Sequence, residues 1–208
     1  MKVTALAIIA GLAAAATAGP ALVAETTWGG SDLAGWTFDD NGFGTWDNPG
    51  VDGNPGGYAR YTDVGGPDSP PQLFAPAEFL GDYNSYIGGY FQYDIRLEMA
   101  PDEPGEPSNY PRIRLLGADG SEARALADFI PTTDWQQVTI NIVESDWEMV
   151  SGTWSGLIDN VDGLYFGGDV LLGGGPEAGV DNFRLFIPAP GSVALLGLAG
   201  VATLRRRR

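Results

Sequence analysis

Short segments in which apolar and polar residues alternate run through the middle of the chain, separated by turns rich in glycine, proline, asparagine and aspartate. Every second residue is apolar in Tyr90–Leu97, and the same period recurs in Val138–Ile142 and Phe183–Ile187. A period of two places these apolar sets on one face of a sheet. Many short strands with turn signals between them are typical of a sandwich or barrel, and no blade-like repeat is apparent. The pattern predicts an all-β chain that folds as a single jelly-roll-like β-sandwich.

Seven segments are predicted as strands: Tyr58–Val64, Gly89–Glu98, Pro111–Leu116, Ala123–Ile130, Gln136–Val143, Gly163–Phe166 and Val180–Ile187. Arg112–Leu116 is expected to form a hairpin with Glu122–Ile130. Helical periodicity is weak, and only one or two turns are expected at Ala75–Asp82 and at Trp154–Val161.

The N-terminal segment has the composition of a secretory signal peptide. Lys2 gives it a basic start, and Val3–Ala16 is small or apolar apart from Thr4. A short apolar run that ends in small residues is typical of a segment removed on export. Cleavage after Ala18 and cleavage after Ala24 are both compatible with the sequence. Residues 1–24 are therefore assigned to the signal peptide, and residues 25–187 to the sandwich domain.

The C-terminal segment, residues 188–208, has three parts. The motif Pro188, Ala189, Pro190, Gly191 precedes the apolar stretch Ser192–Leu204, and the chain ends in Arg205, Arg206, Arg207 and Arg208. The apolar stretch predicts a short hydrophobic helix, and its thirteen residues fall below the roughly 20 that a stable membrane span needs. The terminal arginines favour a cytoplasmic position for this end.

This layout resembles the PEP-CTERM sorting signal, although Ala189 stands where that family has glutamate. The resemblance implies export by the secretion machinery, transient insertion of the tail in the inner membrane, and cleavage near the proline motif by an exosortase-type processing enzyme. The expected destination is the cell envelope, the surface or the extracellular space. A plain C-terminal membrane anchor is the alternative.

The charge of the domain limits its partners. All 27 acidic residues lie within residues 25–187, where the basic residues are six arginines, which gives this part of the chain a net charge of −21. A phosphate surface needs a basic patch, so nucleic acid and anionic lipid are excluded as partners. Solubility is one role for the acidic residues, and binding of hard cations is another.

The absence of cysteine and histidine removes several kinds of chemistry. Disulfides cannot form, zinc and copper lose their usual ligands, and serine–histidine or cysteine–histidine catalysis is impossible. Asp146 and Glu148 flank Trp147, but residues so spaced suit a carboxylate pair across a cleft poorly. We therefore expect no enzymatic activity.

A second resemblance covers residues 58–187. Gln72–Asp82 contains Phe-Leu-Gly-Asp, Tyr86–Tyr93 contains a Gly-Gly that leads into an aromatic strand, and Ala178–Leu185 provides a closing strand. These segments resemble the laminin IV type A domain. The resemblance implies a jelly-roll sandwich akin to carbohydrate-binding modules, with a non-enzymatic role in an extracellular matrix or at a surface.

The sequence contains two candidate sites, one for a metal ion and one for a sugar. Carbohydrate-binding jelly rolls often hold a structural Ca²⁺ between an acidic residue near the first strand and an aspartate in the last strand. Asp39 and Asp181 are the matching positions, and Ca²⁺ is the one cofactor that the resemblance implies. Asx residues of the Gly-rich stretch near Asp39 are equally compatible with simple turns.

Tryptophans are the candidate sugar-binding residues, because an indole offers an apolar face to stack on a sugar ring. Trp46, Trp147 and Trp154 fall in apparent loops and are the predicted platform, with core packing as the alternative for each. The expected function is that of an exported, exosortase-sorted surface or matrix protein with a structural or adhesive sandwich. The alternative is a carbohydrate-binding module that recognises an envelope or environmental polysaccharide.

Overall fold

The alternating segments form strands that pair into two antiparallel sheets. A computed structural model describes residues 19–39, 42–64, 71–100, 113–125, 131–167 and 175–188. The strands are β1 Ala21–Thr26, β2 Thr37–Phe38, β3 Gly44–Asp47, β4 Ala59–Asp63, β5 Leu73–Phe74, β6 Tyr90–Leu97, β7 Ile113–Gly117, β8 Glu122–Ala125, β9 Gln136–Asn141, β10 Trp147–Ser151, β11 Val161–Phe166 and β12 Gly175–Ile187. The prediction of an all-β sandwich is confirmed.

Sheet 1 has the order β3-β4-β12-β6-β9, and β1 also pairs with β12. Sheet 2 has the order β10-β8-β7-β11-β5-β2. Among the described residues, helical structure consists of 3₁₀ turns at Ala77–Phe79, Asn84–Tyr86 and Glu144–Asp146 and of the six-residue helix α1, Trp154–Asp159. Thr153 caps α1 because its hydroxyl accepts a hydrogen bond from the Gly156 N–H at 3.1 Å.

The inner faces of the two sheets enclose an aromatic core centred on Phe183. Its ring lies 5.1 to 5.7 Å, centroid to centroid, from five other rings: Trp36, Phe79, Phe91, Tyr93 and Phe166. Phe91 and Tyr93 belong to sheet 1, whereas Phe166 belongs to sheet 2. These contacts hold the sheets face to face, so their outer faces lie on opposite sides of the sandwich.

Strand β12 is the longest strand described, with 13 residues, and it serves three partners. It pairs with β4 through its first half, with β1 through its last residues, and with β6 along most of its length. The register against β6 shifts between Asp181 and Arg184, and Asn182 there has a φ of 52°. Asparagine tolerates this left-handed conformation better than most residues, so the sequence suits the bulge.

The seven predicted strands are confirmed within the described residues, but five further strands were not predicted: β1, β2, β3, β5 and β10. The hairpin prediction is also confirmed, since β7 pairs with β8. The expected turns near Ala77 and Trp154 are confirmed as a 3₁₀ turn and as α1. Among the described residues, no helix has the length and apolar character needed to cross a membrane.

Strand β1 overlaps the segment assigned to the signal peptide. The compact unit begins at Pro20, and β1 begins at Ala21. Strand β1 pairs with β12, and its residues Ala24 and Thr26 are buried. Cleavage after Ala24 would divide β1, whereas cleavage after Ala18 would leave it whole. Residues 1–18 and 189–208, which carry most of the signal peptide and the tail, lie outside the described residues.

A chain that begins at Glu25 should be less stable than one that begins at Gly19. It loses the burial of Ala24 and the pairing of Ala21, Leu22 and Ala24 with β12, which includes both hydrogen-bonded and non-bonded positions. At about 1 kcal/mol for each net hydrogen bond, we expect a loss of roughly 2 kcal/mol in unfolding free energy. Urea denaturation of the two purified chains measures the difference.

A chain that begins at Ala21 is the matched control, because it removes residues before the strand and should unfold like the Gly19 chain. Equal midpoints for the Glu25 and Gly19 chains would show that the first four residues of β1 add nothing to stability.

Candidate functional site

The three predicted sugar-binding tryptophans lie in the core, and the expectation that they occupy loops is wrong. Trp46 lies in β3, Trp147 in β10 and Trp154 in α1, with exposed fractions of 2, 4 and 9%. The Trp46 Nε1–H donates to the Pro71 carbonyl at 2.9 Å, and the Trp147 Nε1–H donates to the Asn141 carbonyl at 2.9 Å. Indoles held in this way stabilise the sandwich and offer little surface to a sugar, so the carbohydrate role of these three residues stays a prediction that their burial disfavours.

The two residues predicted to hold Ca²⁺ have separate surroundings. Asp39 follows β2 in sheet 2 and accepts a hydrogen bond from the Gln72 N–H. Asp181 lies in β12 of sheet 1 and accepts hydrogen bonds from the backbone N–H groups of Asn54 at 2.6 Å and Asn182 at 2.7 Å. Backbone N–H groups thus orient both carboxylates. Calcium binding at Asp39 and Asp181 stays a prediction.

Asp181 instead faces a second carboxyl group. Asp94 of β6 is its partner in the register, and both residues are buried, with exposed fractions of 0 and 5%. The Asp94 Oδ2 atom accepts from Asn182 Nδ2 at 2.7 Å and from Asn54 Nδ2 at 3.2 Å. Amide donors thus satisfy both carboxyl groups. Burial first, and then the nearby Asp94, raise the pKa of Asp181 to about 6, against the opposing effect of the N–H bonds from Asn54 and Asn182.

These bonds also hold the loop between β3 and β4 over sheet 1. Asn54 belongs to that loop, and the Trp135 Nε1–H adds a bond to the Asp52 carbonyl at 3.2 Å. At the base of the loop, Asn48 Nδ2 lies 2.7 to 3.2 Å from the carbonyl oxygens of Trp28, Gly30 and Asp32. An amide therefore fills the point where three carbonyls converge.

No group of three or more acidic residues in the described part of the chain is arranged to hold a metal ion. The sequence contains no histidine or cysteine that might complete one.

The outer face of sheet 2 carries the arrangement that fits a ligand best. In β7, Ile113 and Leu115 point into the core, so Arg114 points outward. Directly opposite residues of antiparallel strands share a face, and the register places Arg114 beside Arg124 of β8 and Tyr165 of β11. Continuing outward, Arg124 pairs with Glu148, Tyr165 with Phe74, and Phe74 with Thr37.

The result is one unbroken row across six strands, hereafter the sheet 2 row: Glu148, Arg124, Arg114, Tyr165, Phe74 and Thr37. Five strand spacings of about 4.8 Å make this row roughly 24 Å long. Tyr165 is buried at its centre, whereas Phe74, Arg114 and Arg124 are half-buried and Glu148 and Thr37 are exposed.

Hydrogen bonds fix the polar members of the sheet 2 row. Arg114 Nη1 donates to Glu122 Oε1 at 2.9 Å, and the Tyr165 hydroxyl donates to the same oxygen at 3.1 Å. Arg124 forms a two-point ion pair with Glu148, at 2.7 and 2.9 Å. Burial raises the pKa of Tyr165, and its contact with Arg114 opposes that rise. Because Glu122 and Glu148 neutralise the two adjacent arginines, the guanidinium groups are held in place without a net positive patch.

Most of the tail motif lies outside the residues that the structure describes. Pro188 is the last described residue, and Ala189, Pro190, Gly191 and Arg205 to Arg208 lie outside the described residues. The sorting assignment therefore stays a prediction.

No protein-family model matches the sequence, and no curated protein matches it either. Solved structures do match. The family 11 carbohydrate-binding module from Clostridium thermocellum, in complex with a β-1,3-1,4-mixed-linked tetrasaccharide, has a TM-score of 0.53 and 16% identity over 83% of this chain and 98% of that chain. An exo-β-agarase has a TM-score of 0.53 and 12% identity over 83% of this chain and 25% of that chain.

The L4b domain of human laminin α-2 is a further neighbour, with a TM-score of 0.48 and 12% identity over 57% of this chain and 71% of that chain. At these identities the likeness shows the fold alone. The chain has the jelly-roll-like β-sandwich fold found in carbohydrate-binding modules, and the laminin IV type A resemblance stays a prediction.

Asp181→Asn should flatten the dependence of stability on pH. Because the pKa of Asp181 is about 6 in the folded protein and 3.8 for the free group, the folded state binds this proton more tightly. The resulting stabilisation is complete below about pH 4 and is lost as the pH rises through 6. Denaturant unfolding at pH 5 and pH 7.5 should show a larger loss of stability in the wild type than in Asp181→Asn.

Asp162→Asn removes the same charge from an exposed position on β11 and controls for net charge. If the wild type and Asp181→Asn lose equal stability between the two pH values, the proton on Asp181 does not contribute.

Proposed function

We propose that this protein is an exported β-sandwich that binds a polysaccharide along the sheet 2 row. The observation that carries this proposal is the unbroken alignment of aromatic and hydrogen-bonding side chains across all six strands of one sheet. A linear sugar chain presents alternating apolar ring faces and hydroxyl groups, and a row of this kind meets both.

One end of the sheet 2 row is apolar, and the other end carries hydrogen-bonding groups. Half-buried Phe74, which packs on the buried Tyr165 ring with 5.6 Å between centroids, supplies apolar surface at one end. Arg114, Arg124 and Glu148 supply donors and acceptors at the other. The ion pairs restrict these long side chains before a ligand arrives, which lowers the entropy cost of binding. Its length of roughly 24 Å suits an extended polymer better than a single sugar.

Fold-level likeness supports the same class of ligand. The similar structures include carbohydrate-binding modules, one of them with a bound tetrasaccharide. A chain without histidine or cysteine has no triad chemistry, and Asp146 and Glu148 suit a carboxylate pair across a cleft poorly, so a binding role is favoured over a catalytic one.

The termini support an exported, surface-sorted protein. The signal-peptide composition and the Pro188 to Gly191 motif with its terminal arginines indicate passage through the secretion machinery and processing by an exosortase-type enzyme. Polysaccharide binding then becomes the means by which the domain serves a structural or adhesive role in the envelope or its matrix. The carbohydrate-binding module and the adhesive protein are two descriptions of one molecule under this proposal.

Changing Phe74 and Arg124 to alanine together should weaken glycan binding at the sheet 2 row at least tenfold. The two substitutions remove an apolar contact and a charge-assisted hydrogen bond from the row, and each tenfold loss corresponds to about 1.4 kcal/mol. Calorimetry against a panel of soluble mixed-linked β-glucan, xylan and agarose oligosaccharides measures the change.

Trp154→Phe is the matched control, since it keeps an aromatic ring in the core and alters the originally predicted platform. Binding should survive it. Absence of binding to every glycan in the panel would overturn the proposed function. Loss of glycan binding in Trp154→Phe alone would indicate that the tryptophans, and not the sheet 2 row, form the site.

The mass of the mature protein recovered from cells tests export and sorting together. Processing at both ends should give a chain that begins at Gly19 and ends near the proline motif. A recovered chain that retains Arg205 to Arg208 would contradict processing by an exosortase-type enzyme.

A further inference from the structure

The outer face of sheet 1 carries a second set of aligned side chains that the proposed function leaves unused. Phe91 and Tyr93 of β6 point into the core, so Tyr90 and Gln92 point outward. The register places Tyr90 between Phe186 of β12 and Asn141 of β9. It also places Leu22 of β1 beside Phe186, so one row crosses four strands.

A parallel row lies next to it. Gln92 has Arg184 on one side and Thr139 on the other, and Glu25 lies beside Arg184. We call the two rows together the sheet 1 shelf: Leu22, Phe186, Tyr90, Asn141, Glu25, Arg184, Gln92 and Thr139.

The shelf combines exposed apolar surface with hydrogen-bonding groups. The rings of Tyr90 and Phe186 stack with centroids 4.7 Å apart and planes 24° apart, and both residues are half-buried. Leu22 beside them is 50% exposed. Gln92 and Asn141 can each donate and accept hydrogen bonds, as can the Thr139 hydroxyl.

The loop between β3 and β4 borders the shelf on one side. Asn54 of that loop bonds to Asp94 and Asp181, which form the next row along sheet 1. The loop therefore borders Gln92 and Arg184 at the next outward-facing row, two residues away along β6 and three along β12. An open sheet face with a fixed wall can align an extended chain.

Charge selects the class of ligand for the shelf. Arg184 is neutralised by Glu25, with 2.5 Å between Arg184 Nε and Glu25 Oε1, so the shelf has no net charge. The domain around it carries −21 and repels polyanions. A neutral polymer rich in hydroxyl groups matches this surface of aromatic, amide and hydroxyl groups, whose single ion pair carries no net charge, within an anionic domain.

We propose that the sheet 1 shelf is a second glycan-binding face, and that the two faces let one molecule cross-link two chains of a neutral polysaccharide. The inference rests on the proposed function of the sheet 2 row. Since the core rings place the two outer faces on opposite sides of the sandwich, a straight sugar chain on one face cannot also lie on the other. Each molecule would join two chains, which is the activity that a matrix component needs.

Stoichiometry and cross-linking test this directly, with short oligosaccharides and intact polymers of mixed-linked β-glucan, xylan and agarose as probes. The wild type should bind two short oligosaccharides and raise the viscosity of the polymer solution. Gln92→Ala with Asn141→Ala removes only polar surface groups, and should bind one oligosaccharide and lose the rise in viscosity. Tyr90→Ala with Phe186→Ala should do the same, and its melting curve shows whether it is folded.

The sheet 2 variant, Phe74→Ala with Arg124→Ala, should also retain one oligosaccharide and lose the rise in viscosity. Thr45→Ala, on β3 of sheet 1 and outside the shelf, is the control and should behave as the wild type. One bound oligosaccharide in the wild type with no change in the two shelf variants would overturn the second face and leave the proposed function standing. Absence of binding to all three probes would overturn both.

Discussion

The packing of five aromatic rings around Phe183 is the constraint on which the rest of the structure depends. β12 must turn this ring inward while it pairs with β1, β4 and β6, and the bulge at Asn182 lets it do so. The same bulge leaves Asp181 and Arg184 on the outer face. Asp181 then anchors the loop between β3 and β4, and Arg184 takes its place in the shelf. A requirement of the core thus determines which polar groups reach the surface of sheet 1.

Much of the fold was predictable because the central strands alternate cleanly. β6, β9 and β12 obey a period of two over five residues or more, and a buried face accounts for each. β1 was hidden because Ala21–Ala24 continues the small and apolar composition of the leader. β3 and β10 were hidden because their tryptophans stand among aspartate, glycine and glutamate, which are typical of loops. The indole N–H groups of Trp46 and Trp147 donate to backbone carbonyls inside the fold, and the local sequence pattern does not predict such bonds.

The candidate site could not be predicted from the sequence, for a different reason. Thr37, Phe74 and Arg114 are ordinary outward-facing residues in three separate strands, and nothing in their local pattern relates them. Only the register of sheet 2 aligns them with Tyr165 and Glu148. One signal was available in principle: Arg114 lies opposite Arg124, and like charges in this position destabilise a sheet. Glu122 and Glu148 offset the repulsion between the two arginines. Packing of the sheet alone does not require this four-residue arrangement.

Each arginine in the described part of the chain pairs with a carboxylate, from Arg60 with Asp47 to Arg184 with Glu25. Isolated surface pairs of this kind add little stability, so stability alone does not account for them. Their electrostatic effect is clearer, because they remove local positive patches while acidic residues still greatly outnumber basic ones. Such a surface repels anionic polymers at long range and offers oriented donors and acceptors at short range. A neutral, hydroxyl-rich polymer can approach this surface without repulsion and still find hydrogen-bond partners on it.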